Sequence, residues 1–234
     1  MSVSFDFTDR VVIVTGACGA LGSAVASRFA DAGATVCGID LVDPDSDESL
    51  LPESAYDSFY HADLTMEESV EPTIDTIVED HGRIDYLCNV AGTWRGGTPI
   101  HETDLETFDL LMDVNVKSAF LMSKHVLPVL RDTEGAIVSV SARSSLAGGE
   151  GDGPYRISKA GIRLLTETIA EENRGTVRAN CVMPSVIDTP TNREMMEPND
   201  EWVDPADIAD VMLFLCSAGA SVISGAAIPV YGEA

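Results

Sequence analysis

Short apolar segments alternate with amphipathic segments along nearly the whole chain. The apolar segments are five to seven residues long and rich in β-branched side chains, as expected for strands that a parallel sheet buries on both faces. They occupy residues 10–15, 34–40, 58–64, 84–90, 136–140, 177–182 and 227–231. Because helical periodicity fills most of the intervals, the pattern predicts an α/β fold, a doubly wound parallel sheet of about seven strands.

The intervals between the strands predict both helices and loops. Helical periodicity follows Gly22 and ends near Gly33, begins again near residue 66, and is present over residues 105–130 and 205–216. A further predicted helix follows the loop 148–153 and runs to about Asn173. The acidic segment 41–56 contains two prolines and is typical of a surface loop. The segment 190–204 mixes polar residues with methionines and a tryptophan, and we expect it to form a mobile substrate lid. With no linker or internal repeat, residues 1–234 are predicted to form a single domain.

Three glycines separate the first strand from the first helix. Gly16, Gly19 and Gly22 follow directly on the apolar run that ends at Thr15. Glycine here allows a tight turn and lets a pyrophosphate approach the amide groups at the N-terminus of the next helix. The spacing therefore predicts a dinucleotide site in a Rossmann-like domain. Its predicted residues are Gly16, Cys18, Gly19, Ala20, Leu21 and Gly22.

Two aspartates follow the second and third strands. Asp40 lies 18 residues after Gly22, where a carboxylate accepts hydrogen bonds from the adenosine ribose hydroxyls and repels a 2′-phosphate. This position favours NAD as the cofactor, with NADP the less favoured alternative. Asp63, with Leu64 beside it, is placed either to bind the adenine edge or to cap the helix that follows.

The fourth strand ends in the run Asn89-Val90-Ala91-Gly92. Small residues at Ala91 and Gly92 would let the adenosine half of a dinucleotide lie against the backbone, so we assign Asn89, Ala91 and Gly92 to the cofactor site. Further along, Asn115 lies among apolar residues inside the long predicted helix 105–130, a mildly unfavourable position for asparagine. We expect Asn115 either to accompany a local kink or to belong to a polar network, and we interpret it as part of a network.

Tyr155 and Lys159 are four residues apart on the predicted helix that runs to about Asn173, so their side chains project from one face, one turn apart. A free tyrosine has a pKa near ~10, and a nearby ammonium group favours the phenolate and lowers that pKa. The pair therefore predicts an acid/base group that moves a proton on or off a substrate oxygen. Because the same spacing also arises by chance on an amphipathic helix, the argument depends on the other motifs.

The chain carries 39 acidic and 14 basic residues, a net charge of −25. Such a surface repels nucleic acid and anionic membranes, and its self-repulsion opposes folding unless salt screens it. We therefore expect a protein adapted to multimolar salt, whose ligand is a small molecule and which binds neither nucleic acid nor membrane.

The five cysteines stand singly in apolar runs, and the sequence contains no Cys or His cluster. They predict reduced, buried thiols and no metal site. The sequence shows no cleavable apolar leader, and no apolar run approaches ~18 residues. These features predict a cytoplasmic protein.

Taken in order, these motifs resemble those of the short-chain dehydrogenases/reductases, from Arg10 to the C-terminus. The resemblance implies that Tyr155 is the acid/base, that Lys159 lowers its pKa and binds the nicotinamide ribose, and that Asn115 holds a water in a proton relay. It also implies a segment that contacts the nicotinamide carboxamide. The residues of that segment are Pro184, Ile187 and Thr189.

Two departures from the family pattern bear on the substrate. The usual catalytic serine falls on Ala142, flanked by Ser141 and Ser144. Either a neighbouring serine replaces it, with Ser141 as our catalytic candidate, or the substrate does not need that contact. The glycine motif is also shifted, with Gly19 one place earlier than usual. Both features resemble the dihydropteridine reductase branch, which reduces a quinonoid dihydropterin with NADH.

The sequence thus predicts an NAD-dependent oxidoreductase that transfers a hydride between nicotinamide and a carbonyl or alcohol. The alternatives within this class are reduction of a quinonoid pterin and reduction of a 3-oxoacyl thioester. A different class is an NAD-binding sensor without catalysis, and an acidic scaffold protein would leave the glycine turn unexplained. The resemblance further implies a homodimer or homotetramer, supported by apolar helix faces around Phe120 and Leu164.

Overall fold

The computed structural model describes residues 5–232, so residues 1–4 and 233–234 of the predicted domain lie outside the described residues. Within this range the chain forms a seven-stranded sheet in which every strand pairing is parallel. The strands are β1 (Val11–Thr15), β2 (Thr35–Asp40), β3 (Ser58–His61), β4 (Tyr86–Asn89), β5 (Ala136–Val140), β6 (Arg178–Pro184) and β7 (Ala227–Val230). Their spatial order is β3-β2-β1-β4-β5-β6-β7, which confirms the predicted doubly wound sheet.

Helices cover both faces of this sheet. They are α1 (Ala20–Asp31), α2 (Glu67–His81), α3 (Leu105–Leu111), α4 (Ser118–Thr133), α5 (Gly153–Glu172), α6 (Pro190–Met195) and α7 (Pro205–Cys216). On one face α1 and α7 pack over the sheet, and on the other face α2, α4 and α5 do so.

Strand β1 shows why its sequence is a continuous apolar run. Its five residues are all buried, and alternate side chains enter opposite cores. Val12 and Val14 pack with α1 and α7, whereas Val11 and Ile13 pack with α2 and α4. A strand buried on both faces has no solvent-facing position, so it shows no alternation of polar and apolar residues.

The predicted helix 105–130 is not one continuous α-helix. A π-helical turn, Met112–Lys117, separates α3 from α4. In this turn the Ser118 amide donates to the oxygen of Asp113, five residues back, and the Ser118 hydroxyl donates to the oxygen of Val114 at 2.6 Å. The turn inserts one extra residue without interrupting the run of helical residues, so the apolar pattern does not reveal it.

Three properties of the described residues bear on the predicted class of protein. No helix in residues 5–232 combines the length and apolarity needed to cross a bilayer. All five cysteines are buried free thiols, in agreement with their positions in apolar runs. Over the same range, no group of three or more His, Cys, Asp or Glu side chains is placed to hold a metal ion.

Candidate active site

The carboxyl ends of β1, β4, β5 and β6 bring most of the predicted site residues to one edge of the sheet. β1 and β4 are neighbours, while the chain leaves β1 toward β2 and leaves β4 toward β5. This reversal of winding opens a crevice beyond the strand ends, where ligands bind in open α/β sheets.

The glycine turn after β1 is tightly packed against its surroundings. Gly16 has a positive φ of +65°, and a Cβ there would lie 2.8 Å from the Cα of Ala91. A Cβ on Gly22 would lie only 1.9 Å from the oxygen of Gly16. Glycine is therefore required at both positions, in agreement with the prediction of a tight turn.

The turn leaves the N-terminus of α1 without a side-chain cap. Gly19 is the N-cap residue, and no side chain accepts a hydrogen bond from the first helical amides, which begin at Ala20. Leu21 is buried behind them. Uncapped amides at a helix N-terminus attract an anion, so these residues fit the pyrophosphate of a dinucleotide.

Asp40 ends β2 beside this turn, and main-chain amides fix its carboxylate. Oδ2 accepts a hydrogen bond from the Cys18 amide at 2.9 Å, and Oδ1 accepts from the amides of Leu41 at 2.7 Å and Val42 at 3.1 Å. The thiol of Cys18 in turn donates to the oxygen of Val42 at 3.2 Å. The carboxylate is therefore oriented before any ligand binds.

Asp63 closes a turn and does not cap the following helix. Its Oδ1 accepts hydrogen bonds from the amide and the hydroxyl of Thr65, at 2.9 and 2.7 Å. The N-cap of α2 is Met66, and no side chain caps that helix, so the alternative of helix capping is wrong. Leu64 is buried beside it.

Asn89 at the end of β4 points its amide into the core. Its Nδ2 donates to the hydroxyls of Ser123 on α4 and Ser139 on β5, at 3.3 and 3.2 Å. The side chain therefore braces the sheet against α4. Thr15, the last residue of β1, accepts hydrogen bonds from the Val90 and Ala91 amides and so ties β4 to the glycine turn.

Asn115, in the π turn, is almost fully buried and joins two elements of the site. Its Oδ1 accepts from the Thr93 amide at 2.7 Å, and its Nδ2 donates to the oxygen of Thr93 at 3.0 Å and to the hydroxyl of Ser158 at 2.9 Å. The predicted polar network is thus confirmed, and a local distortion of the helix accompanies it.

Gly92 is the point at which Asn115 and Lys159 converge. A Cβ on Gly92 would lie 3.0 Å from Oδ1 of Asn115 and 3.1 Å from Nζ of Lys159. A side chain at this position would press on both polar groups, and glycine leaves room for them. The close approach also brings the loop after β4 into contact with the helix that carries Tyr155.

Lys159 and Tyr155 lie on one face of α5, as predicted. The ammonium nitrogen is 6.0 Å from the centre of the tyrosine ring and donates to the oxygen of Val140 at 3.0 Å. Burial lowers the pKa of Lys159 to about 8. Burial also raises the pKa of Tyr155 to about 12, and the negative charge of Asp152 adds to the rise.

The predicted lowering of the Tyr155 pKa by Lys159 is therefore wrong for the protein's own groups. Removing the phenol from water disfavours its charged form, and the lysine, itself buried and bonded to Val140, does not compensate. Tyr155 is protonated at neutral pH.

The serines beside Ala142 are placed differently from one another. Ser141 is 2% exposed, and its hydroxyl donates to the main-chain oxygen of Lys159 at 2.7 Å. Within the described residues, the hydroxyl oxygen of Ser144 is buried and has no hydrogen-bond partner. The hydroxyl of Ser141 is thus used to anchor α5, which argues against its role as a donor to substrate.

The predicted lid, segment 190–204, is bonded to the loop after β6 near both of its ends. Thr189 accepts a hydrogen bond from the Asn192 amide and so caps α6, which occupies the first part of segment 190–204. Val203, near the end of the segment, pairs with Ile187 in an isolated parallel bridge. The predicted loop thus contains a short helix, and Pro184 is the last residue of β6.

Large exposed side chains lie on the loops that leave the carboxyl edge. Trp94 follows β4 and is 47% exposed, and Met195 on α6 is 52% exposed. The guanidinium of Arg143, after β5, lies 4.7 Å from the ring centre of Tyr231. Loops of this kind form the walls of a substrate cleft.

Three residues of the site were not found from the sequence. Thr93 and Ser158 are the partners of Asn115, and Arg156, directly after Tyr155, binds the loop that follows β5. Only their proximity to other motifs could have indicated them, because a serine or arginine on a helix is most often a surface residue.

Comparisons with known proteins agree with this geometry. A family model described as enoyl-(acyl carrier protein) reductase matches residues 16–232. The 3-oxoacyl-[acyl-carrier-protein] reductase of Thermotoga maritima is 31% identical over 95% of this chain and 96% of its own length. The meso-2,3-butanediol dehydrogenase of Serratia marcescens is 34% identical over 97% of this chain and 95% of its own length.

Solved structures give the same result. The ligand-free aldohexose dehydrogenase of Thermoplasma acidophilum superposes with a TM-score of 0.88 at 28% identity, covering 96% of this chain and 93% of that chain. A Brucella melitensis protein, described as a short-chain dehydrogenase/reductase and glucose/ribitol dehydrogenase, superposes with a TM-score of 0.89 at 27% identity, covering 99% and 98%. The chain therefore belongs to the short-chain dehydrogenase/reductase family of oxidoreductases.

Proposed function

We propose that this protein is an NAD(H)-dependent oxidoreductase that interconverts a carbonyl compound and an alcohol. The observation that supports this most directly is that Asn115 and Lys159 converge on Gly92. Lys159 lies one helical turn after Tyr155 on α5. A binding module without catalysis does not need a buried lysine and a buried asparagine beside a tyrosine, so this arrangement argues against the sensor alternative.

The roles of the residues follow from their state. A bound nicotinamide supplies the hydride that reduces the carbonyl carbon. Tyr155, whose pKa is raised to about 12, holds its proton at neutral pH and donates it to the carbonyl oxygen, which yields the alcohol. Lys159, with its pKa lowered to about 8, would orient the nicotinamide ribose and return a proton to Tyr155.

Asp40 supports NAD over NADP. Its carboxylate is fixed by the Cys18 amide at the mouth of the glycine turn, and a 2′-phosphate beside it would meet a like charge. Asp40→Asn removes the charge and keeps only one of the two oxygens that accept hydrogen bonds from the amides of Cys18, Leu41 and Val42. We expect the variant to lose its discrimination against NADPH, because the charge that repels the 2′-phosphate is gone. We also expect it to bind NADH about tenfold more weakly, which corresponds to about 1.4 kcal/mol. Fluorescence titration of both cofactors measures this, with Asp43→Asn as the control.

The proposed reaction is tested by the rate of NADH oxidation with a panel of carbonyl compounds in concentrated KCl. The panel includes diacetyl and acetoacetyl-CoA, and Tyr155→Phe is run in parallel. We expect at least one ketone to be reduced, and the variant to lose about 10²-fold or more in rate while still binding NADH. Equal rates in the two proteins would contradict the role of Tyr155, and NADH binding without any turnover would support the sensor.

Ala142 gives a second candidate a specific basis. The family's serine is replaced by a buried alanine, and Ser141 beside it is bonded to Lys159. A substrate that needs no hydroxyl donor at this point, such as a quinonoid dihydropterin, is therefore the alternative, with NADH again as the reductant. The same assay with this substrate decides between the candidates. Reduction of a 3-oxoacyl thioester is suggested by the name of the Thermotoga maritima relative.

We also propose that the protein assembles as a homodimer or homotetramer through α4 and α5. Phe120 and Leu164 are 48% and 55% exposed on these helices, in agreement with the predicted apolar faces. Phe120→Glu is expected to shift the mass measured by light scattering toward the monomer. Val222→Glu, at a 93% exposed turn residue, is the control and should leave the mass unchanged.

A further inference from the structure

The side chain of Arg156 is bound to the loop that follows β5. Its Nε donates to Oδ1 of Asp152 at 2.5 Å, and its Nη1 donates to the main-chain oxygens of Ala147 at 3.0 Å and Ser144 at 3.3 Å. The arginine side chain is 25% exposed and that of Asp152 is 17% exposed. One guanidinium thus links both halves of this loop to the helical turn that carries Tyr155.

The loop is shaped to receive this guanidinium. A Cβ on Gly149 would lie 2.2 Å from Cζ and Nη2 of Arg156, so the glycine backbone lies against the flat face of the group. An arginine side chain could normally move aside, but here its bonds to Asp152, Ala147 and Ser144 hold it in place. The neighbouring Gly148 has nothing within 4 Å of its Cβ position.

A second loop depends on the first. The oxygen of Gly151 accepts hydrogen bonds from the amides of Gly97 at 2.7 Å and Thr98 at 3.1 Å. These amides belong to the loop after β4, which also contains Trp94. The loops after β4 and β5 are therefore bonded to each other and form one wall beside the first turn of α5. Arg156 fixes that wall to the helix.

We infer that Arg156 is a positioning residue for substrate, which acts by fixing the loops after β4 and β5 relative to Tyr155. The inference rests on the proposed function, because it treats this wall as the substrate side of the site. Lysine could not do the same, since a single ammonium cannot reach two carbonyl oxygens and a carboxylate in one plane. The glycine turn follows β1 and Asp40 ends β2, so this part of the cofactor site lies on elements that Arg156 does not bind.

The first test does not require turnover. Hydrogen exchange at the Gly97 and Thr98 amides is compared between the wild-type protein and three variants. The variants are Arg156→Met, Gly149→Ala and Gly148→Ala. We expect exchange to be about tenfold or more faster in the first two variants, because the loop opens more often, and unchanged in Gly148→Ala. Unchanged exchange in Arg156→Met, or equal acceleration in Gly148→Ala, would overturn the inference.

The second test uses whichever carbonyl compound the wild type reduces. Arg156→Met and Gly149→Ala are expected to raise KM about tenfold or more while the Kd for NADH stays within about twofold, since misplaced loops weaken substrate positioning alone. Arg156→Lys keeps the ion pair with Asp152 and should restore only part of the loss. Full restoration by lysine, or an equal weakening of NADH binding, would show that Arg156 does not act by fixing the loops.

The two tests separate this inference from the proposed function. If the wild type reduces no carbonyl compound but Arg156→Met accelerates exchange at Gly97 and Thr98, the proposed reaction fails and the role of Arg156 in fixing the loops stands. If the wild type turns over and neither exchange nor KM responds, the reaction stands and the inference fails.

Discussion

The hydroxyl of Ser141 donates to the main-chain oxygen of Lys159 at 2.7 Å, and both residues are buried. This bond attaches the segment after β5 to the helix that carries Tyr155 and Lys159. It also uses the proton that a catalytic serine would give to a substrate oxygen. The nearest alternative to the family's serine is therefore not Ser141, and the position that would hold a donor is Ala142.

We predict that Ala142→Ser increases kcat/KM for ketone reduction by about tenfold, because a positioned hydroxyl stabilises the charge that develops on the carbonyl oxygen. Ala142 is extended and 8% exposed, so the change adds one oxygen at the cleft. Initial rates with a ketone and with quinonoid dihydropterin measure the effect, and the pterin rate should not change.

Ser141→Ala serves as the control for this prediction. It removes the anchor of α5 and is expected to cost about 1 kcal/mol of stability, with a small effect on kcat. Loss of all turnover in Ser141→Ala without a change in melting temperature would instead assign Ser141 to the substrate.

The charge of Asp152 should be visible in the pH dependence of alcohol oxidation. In the proposed reaction, alcohol oxidation needs Tyr155 as phenolate, so its rate is expected to rise with pH toward the pKa of Tyr155, which burial and Asp152 raise to about 12. Asp152→Asn removes the negative charge, keeps an acceptor for Arg156, and should lower that pKa. The rising limb of kcat/KM against pH is then expected at lower pH than in the wild type.

Glu150→Gln is the matched control, because Glu150 is an exposed acid of the same loop. A limb that moves equally in both variants would indicate a general effect of net charge, and a limb that moves upward in Asp152→Asn would contradict the stated cause.

The buried Lys159 is expected to lower the free energy of unfolding. Burial lowers its pKa from 10.5 to about 8, so the folded state resists the charge that the unfolded chain carries. Below pH 8 this cost is fully present, at about 3 kcal/mol, and it disappears as the pH rises past the unfolded pKa.

Lys159→Met removes that cost and loses one hydrogen bond to Val140, worth about 1 kcal/mol. We therefore predict an inactive variant that is about 2 kcal/mol more stable than the wild type at pH 7. The advantage should disappear before the pH reaches ~10.4, the pKa of an unperturbed lysine, because only the lost hydrogen bond then remains. Urea unfolding at the two pH values measures this, with Lys117→Met as the control for loss of a positive charge. A less stable variant at pH 7 would contradict it.

The sheet could be predicted because burial on both faces leaves a direct trace in the sequence. β5 was predicted at the observed bounds, Ala136–Val140, and Gly16 and Gly22 were placed by a requirement that only glycine meets. Asn115 was also found, because an amide among apolar residues needs partners.

The parts that could not be predicted depend on tertiary contacts that do not change the periodicity of apolar residues in the sequence. The π turn inserts one extra residue into the helix, and the sequence of its six residues, Met112–Lys117, has no pattern that distinguishes it from an α-helix. The pKa of Tyr155 depends on how deeply α5 is buried, and spacing to Lys159 carries no such information. Arg156 binds main-chain oxygens of Ser144 and Ala147, and any residue type could supply those acceptors.

The net charge of −25 predicts that salt stabilises this fold. Asp47 and Glu48 are adjacent exposed acids in the loop after β2, and repulsion of this kind is relieved as the screening length falls from ~10 Å at 0.1 M to ~3 Å at 1 M. We expect the melting temperature to rise by about 5 °C, or roughly 2 kcal/mol, on going from dilute to multimolar KCl. The double variant Asp47→Asn, Glu48→Gln should be more stable than the wild type in dilute buffer and equal to it in concentrated KCl. A melting temperature that stays constant with KCl, or a double variant with no advantage in dilute buffer, would show that charge repulsion does not limit this fold.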